Sequence, residues 1–167
     1  MAKHNNSPSG TAITEAGPKL HTGGCHCGAV RYQVIIDPRQ GGRCNCSICN
    51  KVAQLGGTVV PDAFQLLSGA ESITKYVWGS QIGSRAFCKQ CGIHCFGEGH
   101  LKELGGDFVS INYNTLDDVD PSQVRVVYWD GRHNNWEAGP RATPWPIFAS
   151  ARAEDKPVAA EHAAPAA

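Results

Sequence analysis

Eight cysteines in three short groups constrain this chain more than any other feature of its sequence. The first group is Cys25-His26-Cys27, the second runs from Cys44 to Cys49, and the third is Cys88-Lys89-Gln90-Cys91 with Cys95 nearby. Such groups form disulfides in secreted proteins and bind metal or react as thiols in a reducing compartment. Residues 1–20 are polar and lack the apolar stretch of a secretory signal, so we expect a cytoplasmic protein whose cysteines bind metal.

The spacing of the first and third groups suits zinc. In an extended backbone, residues i and i+2 project to the same side, so Cys25 and Cys27 can offer two sulfurs to one ion. Cys88-x-x-Cys91 followed by Gly92 resembles a zinc knuckle, and glycine tolerates the positive φ of a tight turn around a metal. A structural zinc takes four ligands, and these four cysteines, here called the four-cysteine group, supply a complete set.

The second group contains Cys44, Cys46 and Cys49, here called the three-cysteine group. Three thiolates leave a fourth position on an ion, and a catalytic zinc keeps that position for water or substrate. Cys95 could instead close the position and make a second inert site, and the sequence is compatible with both arrangements. Energetics favour metal over disulfides, since structural zinc supplies about 10–16 kcal/mol to a zinc peptide and a disulfide about 2–4 kcal/mol.

Hydrophobic periodicity predicts an all-β domain between residues 21 and 148. The apolar series Val30, Tyr32, Val34 and Ile36 alternates with Arg31, Gln33 and Ile35, which is typical of a strand. Further β-rich runs occupy residues 58–60, 64–67, 72–78, 108–113 and 124–129. Residues 116–119, just before Asp120-Pro121, are the one stretch that indicates a short helical turn.

Composition and charge indicate which residues are disordered and which partners are unfavourable. The polar residues 1–20 and the Ala- and Pro-rich residues 149–167 are expected to be disordered. The 15 basic and 15 acidic residues give a formal net charge of zero, which argues against nucleic acid and anionic membranes as partners. Aromatic residues make up 8% of the chain, so the core is lean and a bound metal would stabilise it.

Three stretches of the chain resemble the signatures of one known family. They are Gly24-Cys25-His26-Cys27-Gly28-Ala29-Val30-Arg31-Tyr32, Cys44-Asn45-Cys46-Ser47-Ile48-Cys49-Asn50-Lys51 and Phe87-Cys88-Lys89-Gln90-Cys91-Gly92-Ile93-His94. In this order and spacing the chain is similar to the glutathione-dependent formaldehyde-activating enzymes, a family that includes the centromere protein V domain. The resemblance implies stacked antiparallel sheets of the β-tent or Mss4-like fold.

The resemblance also implies cofactors and an activity. It implies a structural zinc on the four-cysteine group and a second, labile or catalytic zinc on the three-cysteine group. The implied reaction joins glutathione and formaldehyde into S-hydroxymethylglutathione, which is a carbon–sulfur lyase assignment in reverse. We therefore expect an enzyme whose partners are a small-molecule thiol and an aldehyde. The alternative is a non-catalytic zinc-binding module for protein interaction or zinc storage.

Two further residues are candidates for binding the cosubstrate. His94 lies next to the third signature and is a candidate pocket group or proton shuttle; the alternative is a hydrogen-bonded loop histidine. Arg132 lies in a polar segment, residues 130–136, that resembles one common in this family. Its guanidinium can bind a glutathione carboxylate through two hydrogen bonds, and the alternative is a solvated turn. The tryptophans Trp129, Trp136 and Trp145 are expected to pack in the core or at its edge.

Overall fold

The computed structural model describes residues 17–148, and this part of the chain folds into ten β-strands and one short α-helix. The strands are β1 (Lys19–Gly24), β2 (Arg31–Ile36), β3 (Gln40–Cys44), β4 (Gly56–Val59), β5 (Phe64–Ser68), β6 (Ile73–Val77), β7 (Gly83–Cys88), β8 (His94–Leu101), β9 (Gly106–Asn112) and β10 (Arg125–Trp129). The α-helix, α1, covers Ser47–Lys51. Short 3-10 helices cover Pro61–Ala63, Ala70–Ser72, Lys102–Leu104, Tyr113–Thr115, Pro121–Gln123, Gly131–His133 and Trp136–Ala138.

The strands form two sheets. One sheet has three strands in the order β1-β2-β5, and the other has seven in the order β10-β3-β4-β9-β8-β7-β6. Neighbouring strands run antiparallel, apart from β10 and β3, which run parallel. The prediction of an all-β fold with stacked sheets is therefore confirmed.

The core lies between the two sheets. Tyr32 of β2 and Phe64 of β5 belong to the small sheet, and Phe96 of β8 belongs to the large one. The Phe96 ring lies 5.9 Å from Tyr32 and 4.7 Å from Phe64, measured between ring centroids. Tyr32, Val34 and Ile36 are all buried, as the alternation of β2 predicts. Burial of these large side chains holds the two sheets together, because each fully buried side chain contributes about 1.5–3 kcal/mol to the free energy of folding.

Sequence periodicity located some elements and missed others. The six predicted runs correspond to β2, β4, β5, β6, β9 and β10, whereas β1, β3, β7, β8 and α1 were not predicted. The helical turn predicted at residues 116–119 was wrong. Leu116 instead forms a β-bridge with Gly23, and residues 117–118 form a turn. The side chain of Asp117 accepts a hydrogen bond from Thr22, which ties this turn to β1.

The predicted domain limits lie close to the described part of the chain. Strand β1 begins at Lys19, so residues 19 and 20 belong to the domain rather than to the predicted disordered extension. The remaining predicted ends, residues 1–16 and 149–167, lie outside the described residues. None of the helices within residues 17–148 has the length and apolar character needed to span a bilayer.

Candidate metal sites

The four-cysteine group joins the two sheets. Cys25 and Cys27 lie in the turn between β1 and β2 of the small sheet. Cys88 is the last residue of β7 in the large sheet, and Cys91 lies in the turn that leads to β8. The four sulfur atoms all lie within 4.8 Å of one another. One ion at this point would therefore link the ends of strands from both sheets.

The sulfur separations fit a shared ion. The Cys27 sulfur lies 3.5 Å from that of Cys25 and 3.7 Å from that of Cys88. Zinc–sulfur bonds of about 2.3 Å in a tetrahedron place the sulfurs about 3.8 Å apart. A disulfide would bring two sulfurs to about 2.05 Å, and all eight cysteines are free. The donor atoms and their spacing thus match structural zinc and exclude disulfides.

Backbone amides stabilise these thiolates. The Val30 N–H donates to the Cys25 sulfur at 3.2 Å. Hydrogen bonds from the backbone N–H groups of Ile93 and Cys27 lower the pKa of the Cys91 thiol to about 6. Gly92, with φ of +71°, allows the turn that brings the Ile93 amide to the Cys91 sulfur. The prediction of an extended backbone at Cys25 and Cys27 was wrong, because these residues form a turn.

The three-cysteine group is built from adjacent elements. Cys44 ends β3, Cys46 directly precedes α1, and Cys49 lies within α1. Their sulfurs also lie within 4.8 Å of one another, and each residue is half-buried. Hydrogen bonds from the thiols of Cys44 and Cys49 lower the pKa of the Cys46 thiol far below its ordinary value, despite partial burial. Three converging sulfurs that share protons in this way can bind a zinc ion, which would take the place of the shared protons.

The segment of residues 130–136 supports this group. Asn45, between two of the cysteines, donates to Asp130 Oδ1 at 2.7 Å and accepts from the Arg132 N–H at 2.8 Å. Asp130 is buried and also contacts His133 Nδ1 at 2.7 Å. A Cβ atom at Gly131 would lie 2.5 Å from the Cys44 sulfur, so glycine is needed for this close approach. The segment therefore holds the cysteines in place mainly through its backbone and Asp130.

A cavity of about 370 Å³ opens beside the three-cysteine group. Cys44 and Cys49 form part of its wall. The wall also contains Arg43, Asn50, Gln54, Tyr128, Trp129 and Trp145. Its size is suitable for a small molecule, and its wall combines one cation, amide groups and aromatic rings. Trp129 and Trp145 were expected only to pack, but their position also makes them part of the cavity wall.

Cys95 belongs to neither group. It is buried, and its sulfur lies 3.6 Å from the Ile93 carbonyl oxygen. Burial, followed by the charge of Cys25 and its partners, raises the pKa of the Cys95 thiol to about 12. These neighbours put it beside the four-cysteine group, which already offers four sulfurs. The alternative in which Cys95 closes the three-cysteine group does not agree with this geometry.

His94 and Arg132 both lie outside the cavity wall. The His94 ring is buried against Phe87, with centroids 5.2 Å apart, and burial lowers its pKa to about 4. The exposed Arg132 guanidinium lies 5.8 Å from the centre of the Phe148 ring. The cation that does line the cavity is Arg43, which sequence analysis missed although it directly precedes Cys44.

Comparison with known proteins identifies the family. The family model described as "Glutathione-dependent formaldehyde-activating enzyme" matches residues 20–131. The chain belongs to this family. Membership and the two cysteine groups are both consistent with a zinc-binding protein, and the three signatures in the sequence identified the family correctly.

Two relatives add detail to this family assignment. A Halomonas elongata protein, whose name gives it this enzyme activity as a provisional assignment, is 42% identical over 81 residues. The match covers 43% of this chain and 52% of the relative, so the chain spans about half the length of the curated relative. A crystal structure of a Rhodobacter sphaeroides protein is 27% identical, with a TM-score of 0.56. It covers 65% of this chain and 98% of that one, which supports the same fold for the family domain.

Proposed function

We propose that this protein is a cytoplasmic zinc enzyme that adds a thiol to an aldehyde, with glutathione and formaldehyde as the expected pair. The observation that supports this most is the position of the three-cysteine group at the wall of a 370 Å³ cavity. Three sulfurs converge there, and no fourth cysteine of residues 17–148 joins them. A metal held by these three residues would keep a fourth position for water or substrate, beside a space large enough for a small molecule.

The donor set of each group suits zinc. Thiolate sulfur is a soft ligand, and tetrahedral sites rich in thiolate are typical of zinc. Cys25, Cys27, Cys88 and Cys91 would hold a structural ion, and Cys44, Cys46 and Cys49 would hold the second. Zinc in such a position lowers the pKa of a bound thiol or water and polarises a carbonyl oxygen.

The residues of the cavity wall would bind and orient the thiol. Arg43 is exposed, lines the cavity and can donate two hydrogen bonds to a carboxylate of glutathione. The side-chain amides of Asn50 and Gln54 can pair with peptide groups, and the Trp145 ring would shield one side of the bound thiol from water. Arg132 stays a second candidate for a carboxylate and His94 for a proton relay, although both lie outside the wall.

The reaction needs orientation more than strong chemical activation. The thiolate sulfur adds to the carbonyl carbon, a carbon–sulfur bond forms as the carbon–oxygen π bond breaks, and the aldehyde oxygen takes a proton to become a hydroxyl. Because this addition already proceeds in water, holding the two reactants together supplies most of the acceleration. The half-buried three-cysteine group beside a formed cavity is suited to this task.

Exchange spectroscopy tests the proposal. The exchange rate between glutathione and S-hydroxymethylglutathione is measured with formaldehyde, with and without the zinc-loaded protein. We expect faster exchange with the protein, and loss of this acceleration in Cys46→Ser. Cys95→Ala is the matched control, because it removes a cysteine outside both groups and should keep two ions and full activity. An unchanged exchange rate at full zinc content would contradict the enzyme and favour the alternative of zinc storage or protein interaction.

A further inference from the structure

Arg85 reaches the three-cysteine group from the large sheet behind it. Its Nη2 atom donates to the Cys49 sulfur at 3.2 Å, and its Nη1 atom donates to Ser110 Oγ at 3.1 Å. The guanidinium carbon also lies 5.6 Å from the centre of the Trp78 ring. Arg85 lies on β7, Ser110 on β9 and Cys49 on α1, so the side chain crosses β8 to make these contacts.

The sheet is shaped to let Arg85 cross. Gly97 of β8 pairs with Arg85 on one side and with Ser110 on the other. A Cβ atom at position 97 would lie 2.6 Å from Arg85 Nη1 and 2.7 Å from Ser110 Oγ. A side chain at this position would therefore displace the guanidinium from its path. Glycine here and serine on the next strand together fix where the guanidinium ends.

The counter-charge of this arginine is a sulfur. Arg31 and Arg39 form ion pairs with Asp117 and Asp37, whereas Arg85 forms no ion pair with a carboxylate within residues 17–148. Its Nη2 atom points at Cys49 instead. An N–H group of a permanent cation that donates to sulfur stabilises the thiolate form, which is the form that binds metal.

We infer that Arg85 balances the charge of the metal-loaded three-cysteine group and thereby sets how tightly this group holds its ion. Three thiolates and one divalent ion carry a net charge of −1, and the guanidinium makes the assembly neutral. Arg85 acts through Cys49, so it is a positioning residue that does not touch the substrate. The inference rests on the metal site proposed above.

Metal competition tests this role with the zinc ion itself as the probe. The zinc-loaded protein is titrated with a chelator, as wild type and as Arg85→Met and Arg85→Lys. Loss of a residue that supports a metal ligand typically costs 10- to 100-fold in affinity, so Arg85→Met should release the second ion at about 10- to 100-fold lower chelator concentration. Arg85→Lys should recover part of the loss because it keeps the charge. Arg39→Met, which removes an exposed arginine paired with Asp37, is the matched control and should change nothing.

Two further measurements separate charge balance from a general loss of structure. The four-cysteine group is an internal reference, because its ion should stay bound in Arg85→Met. With Co²⁺ in place of zinc, the thiolate-to-metal absorption should shift in Arg85→Met, since the Cys49 sulfur loses its donor. If Arg85→Met fails to fold, Ser110→Ala tests the inference instead, because it removes only the hydrogen bond to Arg85 Nη1. It should lower the affinity for the same ion, by less than Arg85→Met.

The outcomes distinguish this inference from the proposed metal site. Wild-type protein that binds only one ion would overturn the site and the inference together. Wild-type protein that binds two, with both held equally well in Arg85→Met, would overturn the role of Arg85 alone. Equal release of both ions from Arg85→Met or Ser110→Ala would also overturn it, because the effect would then be one of fold.

Discussion

The two cysteine groups differ most in the length of chain that separates their sulfurs. Cys27 and Cys88 are 61 residues apart and come from different sheets, whereas Cys44 and Cys49 lie within one short segment. Closing a long loop removes more conformational entropy from the unfolded chain than closing a short one. We therefore expect an ion in the first group to stabilise the fold, and an ion in the second to be lost without opening the sheets.

The two groups also differ in the hydrogen-bond donors and the space around their sulfurs. Backbone amides of Val30 and Ile93 donate to sulfurs of the four-cysteine group. In the three-cysteine group the Cys46 N–H donates to the Cys44 sulfur at 3.4 Å, and the Arg85 side chain also donates to the Cys49 sulfur. This group borders a cavity. Main-chain donors are fixed by the fold, while side-chain donors can be exchanged by mutation. From this comparison we expect a structural role for the four-cysteine group and a more adjustable role for the three-cysteine group.

The largest expected effect is loss of the fold on mutation of the four-cysteine group. Structural zinc supplies about 10–16 kcal/mol to zinc peptides, and a whole domain is stable by only about 5–15 kcal/mol. We therefore expect Cys88→Ser to be unfolded at 25 °C, as seen by circular dichroism and zinc content. Cys95→Ala, which changes a buried cysteine outside both groups, should stay folded. A folded Cys88→Ser protein with two ions would contradict the structural role expected for the four-cysteine group.

The second-largest expected effect is loss of one zinc ion on mutation of the three-cysteine group. Cys46→Ser should lose about one zinc per chain and the acceleration of glutathione exchange, because two thiolates hold an ion poorly. Its thermal unfolding midpoint should stay close to that of wild type, since the four-cysteine group is intact. Unfolding of Cys46→Ser would instead make the three-cysteine group structural.

The third effect tests the side chains that support the second group. Asp130→Asn keeps the shape of a buried side chain but removes the charge that holds Asn45 and His133. Because Asn45 separates two ligands, the second ion should bind about tenfold more weakly, in the range for residues that support metal ligands. Chelator competition measures this. If Asp130→Asn lost the ion of the four-cysteine group as readily, the two groups would not be independent.

The fourth effect separates two candidate arginines for substrate binding. Arg43→Met should raise KM for glutathione about tenfold, as expected for loss of a hydrogen bond to a charged group, without change in zinc content. Arg132→Met is its matched control and should change KM little, because its guanidinium lies against Phe148. Steady-state kinetics with varied glutathione measures both. A larger effect of Arg132→Met on KM would mean that Arg132, as the sequence suggested, and not Arg43 binds the glutathione carboxylate.

Sequence reasoning grouped the cysteines as the structure does because thiol spacing is local information. The division into four and three cysteines and the strand at Tyr32 follow from neighbours within a few positions. Arg85 could not be found in this way, since it meets Cys49 across 36 residues through the register of β7, β8 and β9. The same reason applies to Cys95, because its position follows from the path of β8 and not from its distance along the chain.

The smallest expected effect comes from a carboxylate at the four-cysteine group. Asp117 accepts hydrogen bonds from Thr22 at 2.7 Å and from Arg31 at 3.0 Å, and these two residues flank the turn that carries Cys25 and Cys27. The hydrogen bond from Arg31 lowers the pKa of the Asp117 carboxyl below its ordinary value. A lowered folded-state pKa gives stability that is present above the unfolded pKa and lost as pH falls through the folded one.

Because Asp117 is 43% exposed, solvent screens this contribution, and Asp117→Asn should cost less than about 1 kcal/mol. Urea unfolding should show a constant difference between wild type and Asp117→Asn above pH 5, and this difference should shrink as pH falls below about 3.9 towards the lowered folded-state pKa. Zinc content at pH 7 should be the same in both proteins, since the backbone amides that hold the thiolates are unchanged. A loss of several kcal/mol, or of the ion itself, would mean that this group too depends on its side-chain neighbours, and the contrast with the three-cysteine group would fail.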